Sequence, residues 1–320
     1  MRPSGSRERA QAFRAGVPGL PRAVRRASFA AMLTLLPLLA LLQAAPAAAP
    51  APTDPLPADW RPIPDDEILV MQLTGNRTVV IRLAARLVPA HTANIRKMAS
   101  AHYWDGASVY RVQENWVTQW GGQPGDTGDP ANKPLPAGVA EKVTPEFTIA
   151  GFTPAQRLAR PDAYSTASGY TADGWPVATD GNTAWLTHCY SMVGVARDSD
   201  PMSGSGSELF TPIGQSARRL DRNYTVVGRV IEGMQYLSAM PRSDAAMGMY
   251  AQANERTGIV SVRLASDIPA AERPHFEYRA TDNPRFAAVI GAREHPKPPM
   301  VGGGAEVCDG LPGVRRAGAQ

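Results

Sequence analysis

Cysteine is nearly absent from this 320-residue chain: there are two, Cys189 and Cys308. Two are too few for a disulfide framework, and a single bridge or a pair of free thiols are the alternatives. Histidine is scarce too. The five, His91, His102, His188, His275 and His295, contain no pair at metal-ligand spacing. The neighbours His188 and Cys189 lack a third and fourth ligand nearby, so no metal site is expected. "DSDPMSGSGSE" sets acids near glycines but lacks the Gly at position six and the Glu at position twelve of a calcium loop. "GSGSE" lacks the third glycine and the following amphipathic helix of a dinucleotide loop. No G-x-S-x-G elbow occurs. Hydrolase, dehydrogenase and kinase chemistry all want parts that are missing, and no cofactor is expected.

The body of the chain also lacks an excess of positive charge. The formal net charge is +4, but the first 26 residues hold seven Arg and one Glu. From Ala27 onward, 26 Lys and Arg face 28 Asp and Glu, so no basic stripe remains for nucleic acid. The N-terminal charge instead precedes the apolar "ASFAAMLTLLPLLALLQAA" and an A-x-A site at Ala45–Pro46–Ala47, the pattern of a secretory signal. The uncharged stretch over 27–53 is long enough to span a membrane. Pro37, Pro46, Pro50 and Pro52 interrupt it, which suits cleavage better than anchoring. The expectation is a signal peptide over 1–47, a periplasmic mature protein, and no stable membrane association after cleavage.

Residues 48–66, rich in Pro, Ala and Asp, read as a linker, and a domain over 67–268 follows. It opens with "EILVMQL", apolar on both faces, and "TVVIRLA", where Val79, Ile81 and Leu83 share a side. "TGNR" between them supplies a hairpin turn. "SVYRV", "WVTQW", "SMVGVA", "LFTPI", "TVVGRV" and "IVSVRLA" bring the strand-like runs to eight. A helix is predicted near 89–102, with Pro89 first and Ile95, Met98, Ala99 and His102 on one face. A second lies near 233–240, with Met234, Leu237 and Met240 roughly on one side. Eight mostly antiparallel strands close best into a barrel, because closure removes exposed edges. The fold class is therefore all-β: an eight-stranded antiparallel closed barrel capped by two helices. Residues 123–190 read as an inserted set of long loops with short strands, for instance near 146–150, packed against the barrel. Residues 269–320 read as a C-terminal extension, helical from the Asn283–Pro284 cap and then disordered.

One stretch, "YRVQENWVTQWGG" at 110–122, does not suit a plain core strand. An eight-stranded barrel is filled by its own side chains. Arg111 and Gln119 cannot both be buried in it without partners. They are better placed on the outer face, over an apolar groove.

The same stretch resembles the cyclophilin motif, in which an arginine on one strand precedes an aromatic, an apolar residue and a glutamine before Gly-Gly. Four further segments are similar to that family in the same order: "VPAHTANI" (88–95), "GVARDSDPMSGSGSELF" (194–210), "LDRNYTVVGRVIEGM" (220–234) and "IVSVRLA". The resemblance spans roughly 67–265 with the insertion between. It implies an eight-stranded barrel with two helices and a peptidyl-prolyl cis–trans isomerase acting on proline-containing, unfolded or exported polypeptides, and a monomer is expected. It implies that Arg111 and Gln119 are catalytic. Arg111 would donate to the proline nitrogen of a twisted amide, and Gln119 would hold the substrate backbone. Trp116, Val117, Phe210 and Leu220 would form the proline pocket. Ala196 and Arg197 would offer backbone groups, and Tyr224 would stand near the substrate carbonyl. Plainer readings exist: a surface ion pair for Arg111, core for Phe210 and Val117, a rim residue for Tyr224. Three departures from the family pattern stand out. Glu208 replaces a glutamine, Arg219 a rim tryptophan and Tyr224 a histidine. Glu208 is expected to pair with Arg197 or to clamp Arg111. The alternative to an enzyme is a non-catalytic peptide- or protein-binding module or periplasmic chaperone.

Overall fold

A computed structural model describes residues 52–122 and 133–318. The expected signal peptide over 1–47 lies outside the described residues. In chain order the elements are β1 (Trp60–Pro62), β2 (Ile68–Leu73), β3 (Arg77–Leu83), α1 (Pro89–Ser100), β4 (Ser108–Val112) and β5 (Val117–Gly121). Next come β6 (Gln156–Arg157), β7 (Ala167–Tyr170), β8 (Pro176–Thr179), β9 (Ala184–Leu186), β10 (Met192–Val195) and β11 (Glu208–Pro212). The last are β12 (Val226–Glu232), α2 (Met234–Ser238), β13 (Thr257–Leu264), β14 (Phe276–Arg279), α3 (Pro284–Glu294) and β15 (Val314–Arg316).

The expected hairpin forms between β2 and β3, with Leu73 facing Arg77. Gly75 and Asn76 in its loop take φ of 80° and 55°, a region these two residue types tolerate best. The eight strands read from the sequence close into one barrel in the order β10-β11-β5-β4-β13-β2-β3-β12. Leu69, Met71, Val79, Ile81 and Leu83 fill it, together with Ile95 and Met98 from α1 and Leu237 from α2. α1 ends at Ser100, two residues short of the predicted end. His102 has left the helix, with φ of 57°, so it does not share the buried face.

β2 is apolar on its second face for a structural reason. Ile68, Val70 and Val80 point out of the barrel into a second core with Ile63, Ala265 and Phe276. That core is covered by a three-stranded sheet, β1-β14-β15. Two expectations therefore need correcting. The 48–66 linker contributes β1, whose Trp60 faces Arg279 of β14. The end of the chain, expected to be disordered, is fastened over 305–316. Val307 is fully buried, the Tyr170 hydroxyl donates to its carbonyl at 2.8 Å, and Cys308 is bonded to Cys189. Gly-rich composition signals disorder only where no such anchors exist. α3 matches its prediction: Asn283 caps it by accepting from the Phe286 N–H at 2.9 Å, and Pro284 is its first residue.

The insertion is more ordered than loops with short strands. β6-β7-β8-β9 form a four-stranded antiparallel sheet. Tyr170, Trp175, Val177 and Leu186 join it to the barrel core. The strand expected near 146–150 is reduced to a single bridge between Ile149 and Ala184.

Candidate active site

Arg111 on β4 and Gln119 on β5 are direct cross-strand partners. Such pairs share a face and lie within side-chain reach. One Arg111 guanidinium nitrogen, Nη1, donates to Gln119 Oε1 at 3.0 Å. Nε donates to the Met247 carbonyl at 2.7 Å and Nη2 to Gln113 Oε1 at 2.5 Å. Three neutral acceptors thus fix the fork, and among the described residues no carboxylate is hydrogen-bonded to it. Burial lowers the Arg111 pKa from its ordinary value, but a guanidinium starts so high that it stays charged.

The pairing of β4 with β5 slips between Val109 and Arg111. Tyr110 is the extra residue of a bulge. Regular alternation would send Tyr110 and Arg111 to opposite faces. Here both reach Gln119, whose Nε2 donates to the Tyr110 hydroxyl at 2.6 Å. Tyr110 in turn donates to Glu208 Oε2 at 2.7 Å. Glu208 therefore pairs with neither Arg111 nor Arg197, against expectation. It lies along β11 opposite Gly121 and is buried behind Tyr110. Arg197 instead donates to the backbone carbonyls of Asn223 and Asp198.

Phe210 faces Gln119 across β11 and β5 and faces Gly194 across β11 and β10. A Cβ on Gly194 would come within 2.3 Å of the Phe210 ring, so only glycine lets the ring lie flat over β10. The ring stacks on buried His188, with centroids 5.9 Å apart and 6° between planes. Tyr224 meets the ring edge-on at 5.7 Å. Arg219, in the rim position, lies over the Trp116 ring at 5.1 Å. Arg197 lies over Tyr224 at 4.7 Å and Phe147 at 5.6 Å.

All nine residues singled out from the sequence line one groove of 280 Å³: Arg111, Trp116, Val117, Gln119, Ala196, Arg197, Phe210, Leu220 and Tyr224. The Ala196 N–H is taken by the Glu208 carbonyl at 2.9 Å, so of its two backbone groups only the carbonyl is left for a peptide. A tenth lining residue, Met247, was not foreseen. Its loop carries no motif, and the positive φ of Met247 and Gly248 (59° and 75°) is visible only in the structure. For His188 the sequence shows only that it lacks metal-ligand spacing. Its place beneath Phe210 is a tertiary fact.

Gly194→Ala provides a direct check on the groove. The new methyl must displace Phe210, and overpacking of this kind costs about 1–3 kcal/mol. Weaker binding of an X-Pro peptide by calorimetry is the expected result, with the barrel's circular dichroism retained.

What the groove offers is a rigid cation, an amide and an aromatic floor, with no acid or thiol among its lining residues. The family model described as "Cyclophilin type peptidyl-prolyl cis-trans isomerase/CLD" matches residues 68–263. Among solved structures, the cyclophilin AquaCyp293 from Hirschia baltica is similar at 23% identity, with a TM-score of 0.63. That match covers 80% of this chain and 93% of the other, and it shows a shared fold. A cyclophilin-type isomerase from Cryptosporidium parvum, solved in the presence of the dipeptide Ala-Pro, matches at 13% identity and a TM-score of 0.39. It covers 62% of this chain and 98% of its own. No curated protein sequence matches this chain. The family match spans more than half of the chain and takes in all eight strands of the barrel, and on that basis the chain belongs to the cyclophilin-type peptidyl-prolyl cis–trans isomerases.

Proposed function

We propose that this isomerase acts on X-Pro bonds of exported polypeptides, with Arg111 stabilising the twisted amide. The X-Pro peptide bond has partial double-bond character, and crossing it costs about 18–20 kcal/mol. No proton has to leave and no covalent bond has to break. In the planar amide the proline nitrogen lone pair is delocalised. In the twisted amide it is localised and accepts a hydrogen bond. A preorganised cationic donor therefore binds the transition state better than the ground state, which is the condition for catalysis.

The single observation that carries this reading is the Arg111 guanidinium, fixed by three neutral acceptors beside the aromatic floor of the groove. Phe210, Val117, Trp116 and Leu220 would receive the proline ring. Gln119 would hold the substrate backbone: its amide has a second N–H beyond the one given to Tyr110. The expectation that Glu208 neutralises Arg111 at rest loses its basis, because Glu208 bonds to Tyr110.

Export is supported by the leader pattern and by the Cys189–Cys308 disulfide, a bond that persists in oxidising compartments. Two measurements test the proposal. Purified protein should speed cis-to-trans conversion in a short X-Pro peptide, and a periplasmic extract should yield a mature N-terminus near Ala48. A rate equal to the uncatalysed background sinks the first half. An intact Met1 on a membrane-bound species sinks the second.

A further inference from the structure

Glu208 is a carboxyl group in an unusual place. It is 6% exposed, and its Oε2 lies 2.4 Å from where a Cβ on Gly121 would stand. Its Oε1 is buried with no hydrogen-bond partner among the described residues. From β4 comes Tyr110, with Arg111 lying two hydrogen bonds beyond it through Gln119. From β5 comes Gly121. From the segment after α1 comes Tyr103, whose phenol the Glu208 charge helps to push up, second to burial. From β10 the Ala196 N–H meets its main-chain carbonyl, not its side chain. Among the described residues no cation is hydrogen-bonded to the carboxyl.

Donor counting fixes the direction of the chain. Arginine can only donate, so the Gln119 carbonyl must face Arg111 and the Gln119 amide nitrogen must face Tyr110. The Tyr110 oxygen then accepts from Gln119, and its single proton must go to Glu208. The orientation of the Gln119 amide thus depends on an acceptor that stands at the far end, on a different strand.

We propose that Glu208 is a positioning residue for the isomerisation: through Tyr110 it sets the amide of Gln119, and so the aim of Arg111, and it works in its neutral form. This rests on the reading of Arg111 and Gln119 as the catalytic pair. Burial holds the carboxyl well above the ordinary carboxylate range, consistent with a neutral group. As pH rises through that raised value, a carboxylate forms behind the pair. Its field opposes the positive field that Arg111 presents to the proline nitrogen, so kcat falls.

The test is a pH profile of kcat and peptide Kd, taken from acid to mildly alkaline, for the parent and three variants. The parent should lose rate on the alkaline side while the uncatalysed reaction stays flat. Glu208→Gln cannot ionise and should abolish that alkaline fall. Tyr110→Phe keeps the ring but cuts the chain. It should lower kcat by about 3–10-fold, the rate equivalent of one ordinary hydrogen bond, with little change in Kd. Arg111→Ala is the control for the underlying reading. A flat parental profile, or a Glu208→Gln profile that falls as the parent's does, overturns the inference while Arg111→Ala still loses its rate. If Arg111→Ala keeps the parental rate, the catalytic pair itself is wrong and the positioning role goes with it.

Discussion

Arg111→Ala should lower kcat/KM by roughly 10²–10³ while leaving the Kd of an X-Pro peptide almost unchanged, the effect expected for losing one preorganised donor that acts in the transition state. The asymmetry follows from where charge develops. The planar substrate offers the guanidinium little to bind, and the twisted one offers a localised lone pair. Arg111→Lys should recover only part of the rate. An ammonium carries charge but cannot reach the Met247 carbonyl, Gln119 and Gln113 together with one rigid fork. Gln119→Ala should weaken both Kd and rate, because the substrate backbone needs its partner in both states. Equal losses of affinity and rate in Arg111→Ala would make Arg111 a binding residue and overturn the mechanism.

The second large effect concerns stability. Reducing the Cys189–Cys308 bond, or substituting Cys308→Ser, should move the denaturant midpoint down sharply. The bond closes a loop with a sequence separation of 119. The chain-entropy estimate for a loop of that size is about 4–5 kcal/mol. The loss appears in full only if the tail stays attached through the transition. A reductant should leave the midpoint of the doubly substituted Cys189→Ser, Cys308→Ser protein where it was. A midpoint equally insensitive in the parent would mean that Val307, Tyr170 and the β14–β15 pairing hold the tail without the bond.

Much of this was legible in the sequence because it is periodic or local. All eight barrel strands announce themselves as short apolar runs, and the hairpin at Gly75–Asn76 as turn chemistry. The groove residues were legible because they sit in motifs. What stayed hidden depends on pairing between distant segments. The last residues look like flexible chain, and only the disulfide, the burial of Val307 and the pairing of β15 with β14 make them structure. From sequence alone, Glu208 is expected beside Arg111 or Arg197, the cations of its own motifs. A bulge, which leaves no trace in composition, brought Tyr110 between. Met247 reaches Arg111 through a backbone carbonyl, and a sequence gives no sign of which carbonyl a side chain will find.

The seam that closes the barrel runs between β13 and β2, where Val262 faces Met71. During synthesis, β2 emerges early and finds β3 at once, since only the hairpin loop separates them. Its other edge has to wait for a strand made almost two hundred residues later. Pairings so far apart in the chain form slowly. Until β13 arrives, "ILVMQL" presents an open backbone edge flanked by apolar side chains, the kind of edge on which neighbouring chains assemble. The nascent chain thus carries an aggregation hazard that disappears only when the domain is nearly complete. Truncation before β13 should therefore yield insoluble protein rather than a smaller working barrel.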